Sequence, residues 1–172
     1  ETNRGELTPT FNPDTQNYEL IVENDITDIT VTAEPVDSEN VIVQGNGTYN
    51  LKVGKNGISV FVISKDTGIQ KDYQIVVTRK KSNDATLSSL VVKSHVLSPT
   101  FDKEITNYSL TTSKEYLEFT TVKPTEEEAT YIIENNHSFK TGINEVKIIV
   151  TAPDGETTKE YIINATKTGS KN

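Results

Sequence analysis

Short runs of alternating apolar and polar residues recur along the whole chain, separated by turn residues, and no stretch carries the 3.6-residue apolar period of a helix. Alternation of this kind predicts half-buried strands. The runs come in matched pairs: residues 18–22 and 108–112, 29–33 and 117–121, 41–43 and 130–133. Two further pairs follow, with Ile58, Val60 and Val62 answering Val146, Ile148 and Val150, and Tyr73, Ile75 and Val77 answering Tyr161, Ile163 and Ala165. The named residues are expected to face a core. Pro35 and Pro124 close the second pair of runs, since proline removes a ladder donor and marks a strand exit or a sheet edge. Polar turns at 44–47 and 134–137 follow the third pair, and the segments Lys65-Asp66-Thr67-Gly68 and Pro153-Asp154-Gly155 read as hairpin turns.

The pairing of runs reflects a tandem repeat. LTPTFNPDTQNY at 7–18 returns as LSPTFDKEITNY at 97–108, identical at six of twelve positions. The offset is 90 residues there and 88 from the echo Gly54-Lys55-Asn56 and Gly142-Ile143-Asn144 onward, so strands were kept while loops changed length. At that echo a glycine can supply a left-handed residue and the Asn side chain can bond the local backbone. The chain therefore divides into module 1, residues 1–81, and module 2, residues 82–172. Each is expected to be an all-β, immunoglobulin-like, two-sheet Greek-key sandwich of about seven short strands. The short connection at 80–85 predicts end-to-end stacking with limited rotation. In the repeated box, Phe11 and Phe101 are expected as core anchors after a proline-fixed bend. Tyr18 and Tyr108 are expected to open a strand with the ring buried and the hydroxyl bonded to nearby backbone. The copies differ in one respect. Module 2 has an opening strand with Leu87, Leu90 and Val92 inward, and module 1 has no counterpart, because Arg4-Gly5-Glu6 aligns with Ser94-His95-Val96. Module 1 is therefore expected to lack its opening strand and to offer a sheet edge for pairing with another strand.

Composition narrows the possible functions. The net charge of −8 divides evenly, with eight Lys/Arg against twelve Asp/Glu in module 1 and nine against thirteen in module 2. Such a surface is unsuited to neutralising phosphates, which argues against nucleic acid, and no apolar run is long enough to insert in a membrane. Cysteine is absent and histidine is limited to His95 and His137, neither of which recurs in module 1, so zinc sites and nucleophilic triads lack their parts. No catalytic, cofactor-binding or metal-ligating residue stands out, and the chain is read as a non-enzyme. Calcium needs six to eight oxygens from clustered acids. The acidic run Glu126-Glu127-Glu128 lies in a loop and reads as a solvated tip, and the connection offers only Asp84 beside Asn83. Carbohydrate recognition would call for exposed aromatic rings. Tyr49, Tyr116 and Tyr131 are the aromatics without a repeated core position, and they are scattered over different elements.

Taken together, Leu87-x-x-Leu90-x-Val92, Leu97-Ser98-Pro99-x-Phe101, Asn107-Tyr108, Gly142-x-Asn144, Asp154-Gly155 and Tyr161-x-Ile163-x-Ala165-Thr166-Lys167 resemble the bacterial cadherin-like β-sandwich domain. Residues 5–79 match with the opening strand missing. The resemblance implies a building block of large secreted or wall-attached bacterial proteins, with no family-wide catalytic residues. The abundance of Thr, Asn, Ile, Val and Lys is similar to that of secreted proteins of AT-rich Gram-positive bacteria. The expectation is an extracellular structural or spacer pair supporting adhesion or display. Its alternatives are a glycan- or protein-binding module and the extracellular sensor segment of a membrane-anchored regulator, and its partner would be an unidentified protein or polysaccharide.

Overall fold

The structure, a computed structural model, describes residues 1–169 and divides into two compact units, Glu1–Lys81 and the chain from Ser82 onward. In module 1 the strands are β1 (Asn17–Val22), β2 (Asp28–Val31), β3 (Val41–Gln44), β4 (Gly47–Asn50), β5 (Gly54–Ser64) and β6 (Gln70–Arg79). In module 2 they are β7 (Leu87–Val92), β8 (Asn107–Thr112), β9 (Phe119–Pro124), β10 (Thr130–Glu134), β11 (Gly142–Thr151) and β12 (Thr158–Lys167). Each module is a sandwich of a four-stranded and a two-stranded sheet. The larger sheets have equivalent orders, β1-β6-β5-β3 and β8-β12-β11-β10. In each, an early strand lies parallel to the last one, Asn17 opposite Gln74 through Val22 opposite Arg79, and Asn107 opposite Ile162 through Thr112 opposite Lys167.

Each module has six strands among the described residues instead of about seven, because the second sheet is incomplete in a different way in each copy. In module 1, β2 pairs with β4, and the place of an opening strand holds only the bridge Thr2–Val31, flanked by Thr32 N–H to Glu1 O and Asn3 N–H to Thr30 O. This bridge is the counterpart of Val92 opposite Phe119, the last pair of β7 with β9. In module 2, β7 pairs with β9, and the place of β4 holds only the bridge Tyr116–His137.

One glycine accounts for the second difference. Gln44 pairs with Phe61 and Ile132 with Ile149, 88 residues on in both strands, so the next residues, Gly45 and Ile133, occupy equivalent positions. At Gly45 the chain leaves the larger sheet with φ +100°, and a Cβ there would lie 2.3 Å from the Ser59 carbonyl oxygen. Only glycine can pass that close, so module 1 crosses early and has residues left to build β4. Module 2 stays in its sheet through Ile133 and Glu134, turns at Asn135 with φ 58°, and rejoins after a connection two residues shorter. The turn expected at 44–47 is therefore also the start of a strand, whereas 134–137 is a turn alone.

Both cores follow the alternating pattern. Val146, Ile148, Val150, Tyr161, Ile163 and Ala165 are fully buried against Leu87, Leu90 and Val92. Ile58, Val60, Ile75 and Val77 pack with Tyr18, Leu20, Val22, Ile29 and Val31 in module 1, where Val62 and Tyr73 are only partly buried. The turn after β4 and its equivalent are built as their residues require. Gly54 and Gly142 have φ of 91° and 103°, while Asn56 and Asn144 accept the N–H of Lys52 and Lys140 and donate back to the same residues' carbonyls.

Candidate functional site

The most repeated constellation is aromatic. Tyr108 is 2% exposed, and its hydroxyl donates to the carbonyls of Asp102 and Ile105, both at 2.7 Å, and accepts the N–H of Asp102 at 3.1 Å. Tyr18 does the same with Asn12 and Thr15. The hydroxyl thus closes the bend before β8 or β1 by satisfying three backbone groups that no strand serves. Phe101 lies over Tyr108 and Tyr161, with centroids 6.0 and 6.2 Å away, and Phe11 over Tyr18 and Tyr73 at 5.8 and 6.1 Å. Burial raises the pKa of both Tyr108 and Tyr161.

The two aromatic triads differ in their cover. In module 2 the residues leading into β7 lie over the triad. Ala85 is buried, and the Leu87 N–H donates to the Tyr161 hydroxyl at 3.0 Å, which itself donates to Lys103 O at 2.7 Å. In module 1 the Tyr73 hydroxyl donates to Pro13 O, no N–H among the described residues reaches it, and Phe11 is 58% exposed. The expected core anchors are therefore corrected: Phe11 is a surface ring and Phe101 a partly buried one. The phenylalanine is placed by the bend, but its burial depends on a strand from elsewhere in the chain.

A second repeated feature escaped the sequence reading. Arg79 and Lys167 stand 88 residues apart at the ends of β6 and β12. Arg79 donates to the carbonyls of Asn24 and Leu51, and Lys167 to the carbonyl of Phe139 and the Glu115 carboxylate. Each ties the last strand to the loop leading into the smaller sheet. The signal was a basic residue at the same repeat position in both copies.

A cleft of about 700 Å³ opens along the side of module 2, between β9 and β10. Its lining includes Lys93, Leu117, Phe119, Val122, Tyr131 and Ile133. Lys93 and Glu118 form an exposed ion pair at 3.0 Å; their hydrogen bond and mutual attraction hold the Glu118 carboxyl below its ordinary range and raise Lys93. Tyr131, 42% exposed, is on the wall. Tyr116, 41% exposed, sits under Lys114 beside His137, and Tyr49 packs on the module 1 core with its hydroxyl on Gly45 O. Among the described residues no two of these three rings stack on each other.

Other chemistry finds no assembly. The His95 ring contacts Lys93 O, and His137 is an exposed turn residue. Among the described residues no three His, Cys, Asp or Glu side chains come together as a metal cluster, and no helix is long and apolar enough to cross a membrane.

A model of the family described as "Cadherin-like beta sandwich domain" matches residues 2–80. Module 1 is a cadherin-like β-sandwich domain. No curated protein matches the sequence. Among solved structures, the chain is similar to Drosophila N-cadherin EC1-4, at 11% identity over 90% of this chain and 48% of that one, with a TM-score of 0.33. Human Protocadherin-24 EC1-2 matches at 10% identity over 97% of this chain and 99% of that one, with a TM-score of 0.31. The fibronectin(III)-like modules of Clostridium thermocellum CbhA match at 12% over 92% and 93%, with a TM-score of 0.25. The chain spans about half the length of the N-cadherin structure. Cadherin-like domains are in general structural and adhesive, typically extracellular, and form a non-enzymatic family.

Proposed function

We propose that the chain is a load-bearing spacer of a secreted or cell-surface bacterial protein, module 2 being a second copy of the cadherin-like domain. The observation that carries this is the parallel pairing of an early strand with the last strand in both modules, six pairs each time. In a parallel pair, tension entering at the start of one strand and leaving at the end of the other acts on opposite ends of a single ladder. The hydrogen bonds are then loaded together in shear instead of being peeled one by one. Such a module resists extension without requiring any chemistry. The expected test is single-molecule pulling by the chain ends: two discrete unfolding events, each releasing the length of one module, support the reading, and smooth yielding without discrete events contradicts it.

The partners in this reading are protein or polysaccharide, and one mode of contact is strand pairing at module 1. Among the described residues the outer edge of β2 carries only a short pairing, Thr2 opposite Val31 with Glu1 and Asn3 bonded to Thr32 and Thr30, and Phe11 and Tyr73 are uncovered where β7 covers Phe101 and Tyr161. An extended strand with the apolar spacing of Leu87, Leu90 and Val92 suits that edge. A synthetic peptide of residues 84–93 should perturb the amides of module 1 near Phe11 and Ala33; a titration leaving them unmoved would remove this mode. Separation of Tyr49, Tyr116 and Tyr131 onto different elements supports the spacer over a glycan platform.

A further inference from the structure

Module 2 has an unfilled strand position of its own, at the opposite edge of its smaller sheet. In module 1 every residue of β2 has a partner on β4, Asp28 opposite Asn50 through Val31 opposite Gly47, and the Asn46 side chain bonds both the N–H and the carbonyl of Ala33 just beyond. That edge is closed. In module 2 the covering segment stops sooner. His137 bridges Tyr116, Asn136 bonds Leu117 through backbone and side chain, and among the described residues no pairing follows along β9 on that side. Among the described residues, Phe119–Pro124 make backbone hydrogen bonds only toward β7.

The uncovered edge faces β10, itself an edge strand with its outer side free, and the cleft of about 700 Å³ lies between the two. Buried Leu117 and partly buried Phe119, Val122 and Ile133 give it an apolar strip set among polar residues that include Thr120, Thr121 and Asn136. We infer that this cleft binds a short extended polypeptide strand, which pairs with the outer edge of β9 and places alternate apolar side chains over Phe119, Val122 and Ile133. The occupant is read from the sister module, where the edge of β2 is closed by an extended strand, β4, whose Tyr49 packs into the core. A row of backbone donors and acceptors calls for another backbone, and alternate side chains then supply selectivity. Three features shorten the usable edge and disfavour self-pairing of long flat edges between two copies: the bulge where Val91 and Val92 face Thr121 and Phe119, the exposed Lys123, and Pro124. The occupant is thus a short strand from a different segment. This binding is separate from the spacer reading and stands or falls on its own.

The test is a titration of the full, isotope-labelled chain with the synthetic peptide of residues 46–52, NGTYNLK, which contains the β4 strand. Saturable shifts of the 119–123 amides are expected, with a Kd below about 1 mM. Tyr131→Glu on the cleft wall should weaken binding about tenfold or more, and Ile132→Glu, on the other face of β10 and already exposed, should leave it unchanged. A backbone N-methylated form of the peptide should not bind. No saturable shift at several millimolar peptide overturns the proposal, as does binding that survives N-methylation or Tyr131→Glu. Cellohexaose moving the same amides while the peptide does not would assign the cleft to carbohydrate, and the proposal would be wrong.

Discussion

Replacing Tyr161 by Phe removes one oxygen and tests how β7 is held. That hydroxyl donates to Lys103 O at 2.7 Å and accepts the N–H of Leu87 at 3.0 Å, and both Tyr161 and Leu87 are fully buried. The substitution leaves the buried Leu87 N–H without its partner, while Lys103 O keeps the Lys159 ammonium at 3.1 Å, so the cost is the desolvation of the orphaned N–H, about 1–3 kcal/mol. With a urea dependence of about 1–1.5 kcal/mol per molar for a domain of this size, the midpoint of module 2 should fall by roughly 1–2 M. The control is the equivalent residue. Tyr73 donates to Pro13 O in an exposed setting, with no N–H behind it, so Tyr73→Phe should cost about 0.5 kcal/mol or less because water takes over the bond. Urea titrations of the full chain, followed through resolved amide signals of each module, give the two values separately. Hydrogen exchange at Leu87 should quicken in the first variant. Equal losses in both variants, or a loss under about 0.5 kcal/mol for Tyr161→Phe, would refute the reasoning that β7 is anchored through this hydroxyl.

Three further outcomes follow from the structure. Gly45→Ala should cost at least about 1–3 kcal/mol from its φ of +100° alone, with the 2.3 Å approach to Ser59 O adding to this, and should abolish protection of the β4 amides before those of β5; a neutral thermal melt would contradict the crossing described. Stability should hold between the carboxylate and tyrosine ranges and fall on both sides. Hydrogen bonds from the Thr86 and Thr157 side chains to Asp84 and Asp154, and from Lys167 to Glu115, lower these carboxyl pKa values, so what they add is present above about pH 4 and is lost as pH falls through their folded values. Burial raises Tyr108 and Tyr161, so what they add is present below about pH 10 and is lost as pH rises through theirs, and melts from acid to alkali should show a loss at each end, a flat profile at either end contradicting the corresponding contacts. Millimolar calcium should leave the melting temperature where magnesium leaves it; a rise of several degrees specific to calcium would require a ligand set outside the clusters considered.

How much could be read beforehand depended on whether a residue's role is local. Val146, Ile148 and Val150 are buried because a strand alternates, and alternation is visible in the letters. The Asn144 turn and the Tyr108 hydroxyl close loops within six residues of themselves, and both were legible for the same reason. Phe11 was misjudged because its sequence neighbourhood matches that of Phe101 while its cover does not: the segment over Phe101 comes from residues before the repeated box. Likewise β4 is written in turn-like residues, Gly47 to Asn50, and becomes a strand only because Gly45 can pass close to Ser59 O. The cleft beside β9 is a relation between two strand edges. The change of repeat offset from 90 to 88 does not mark it, because that change falls in the connections after β1 and β8, at 23–27 and 113–115.

The parallel terminal ladders are what would bear load, and the direct test is the direction of force. In module 1, pulling from residue 17 to residue 79 loads the six β1–β6 pairs in shear, whereas pulling from residue 79 to residue 54 opens the β5–β6 ladder from its Gly54–Arg79 end, one pair at a time. Single-molecule stretching through cysteines introduced at these positions should give a rupture force several-fold higher along the first axis. Equal forces along both axes would contradict a load-bearing spacer.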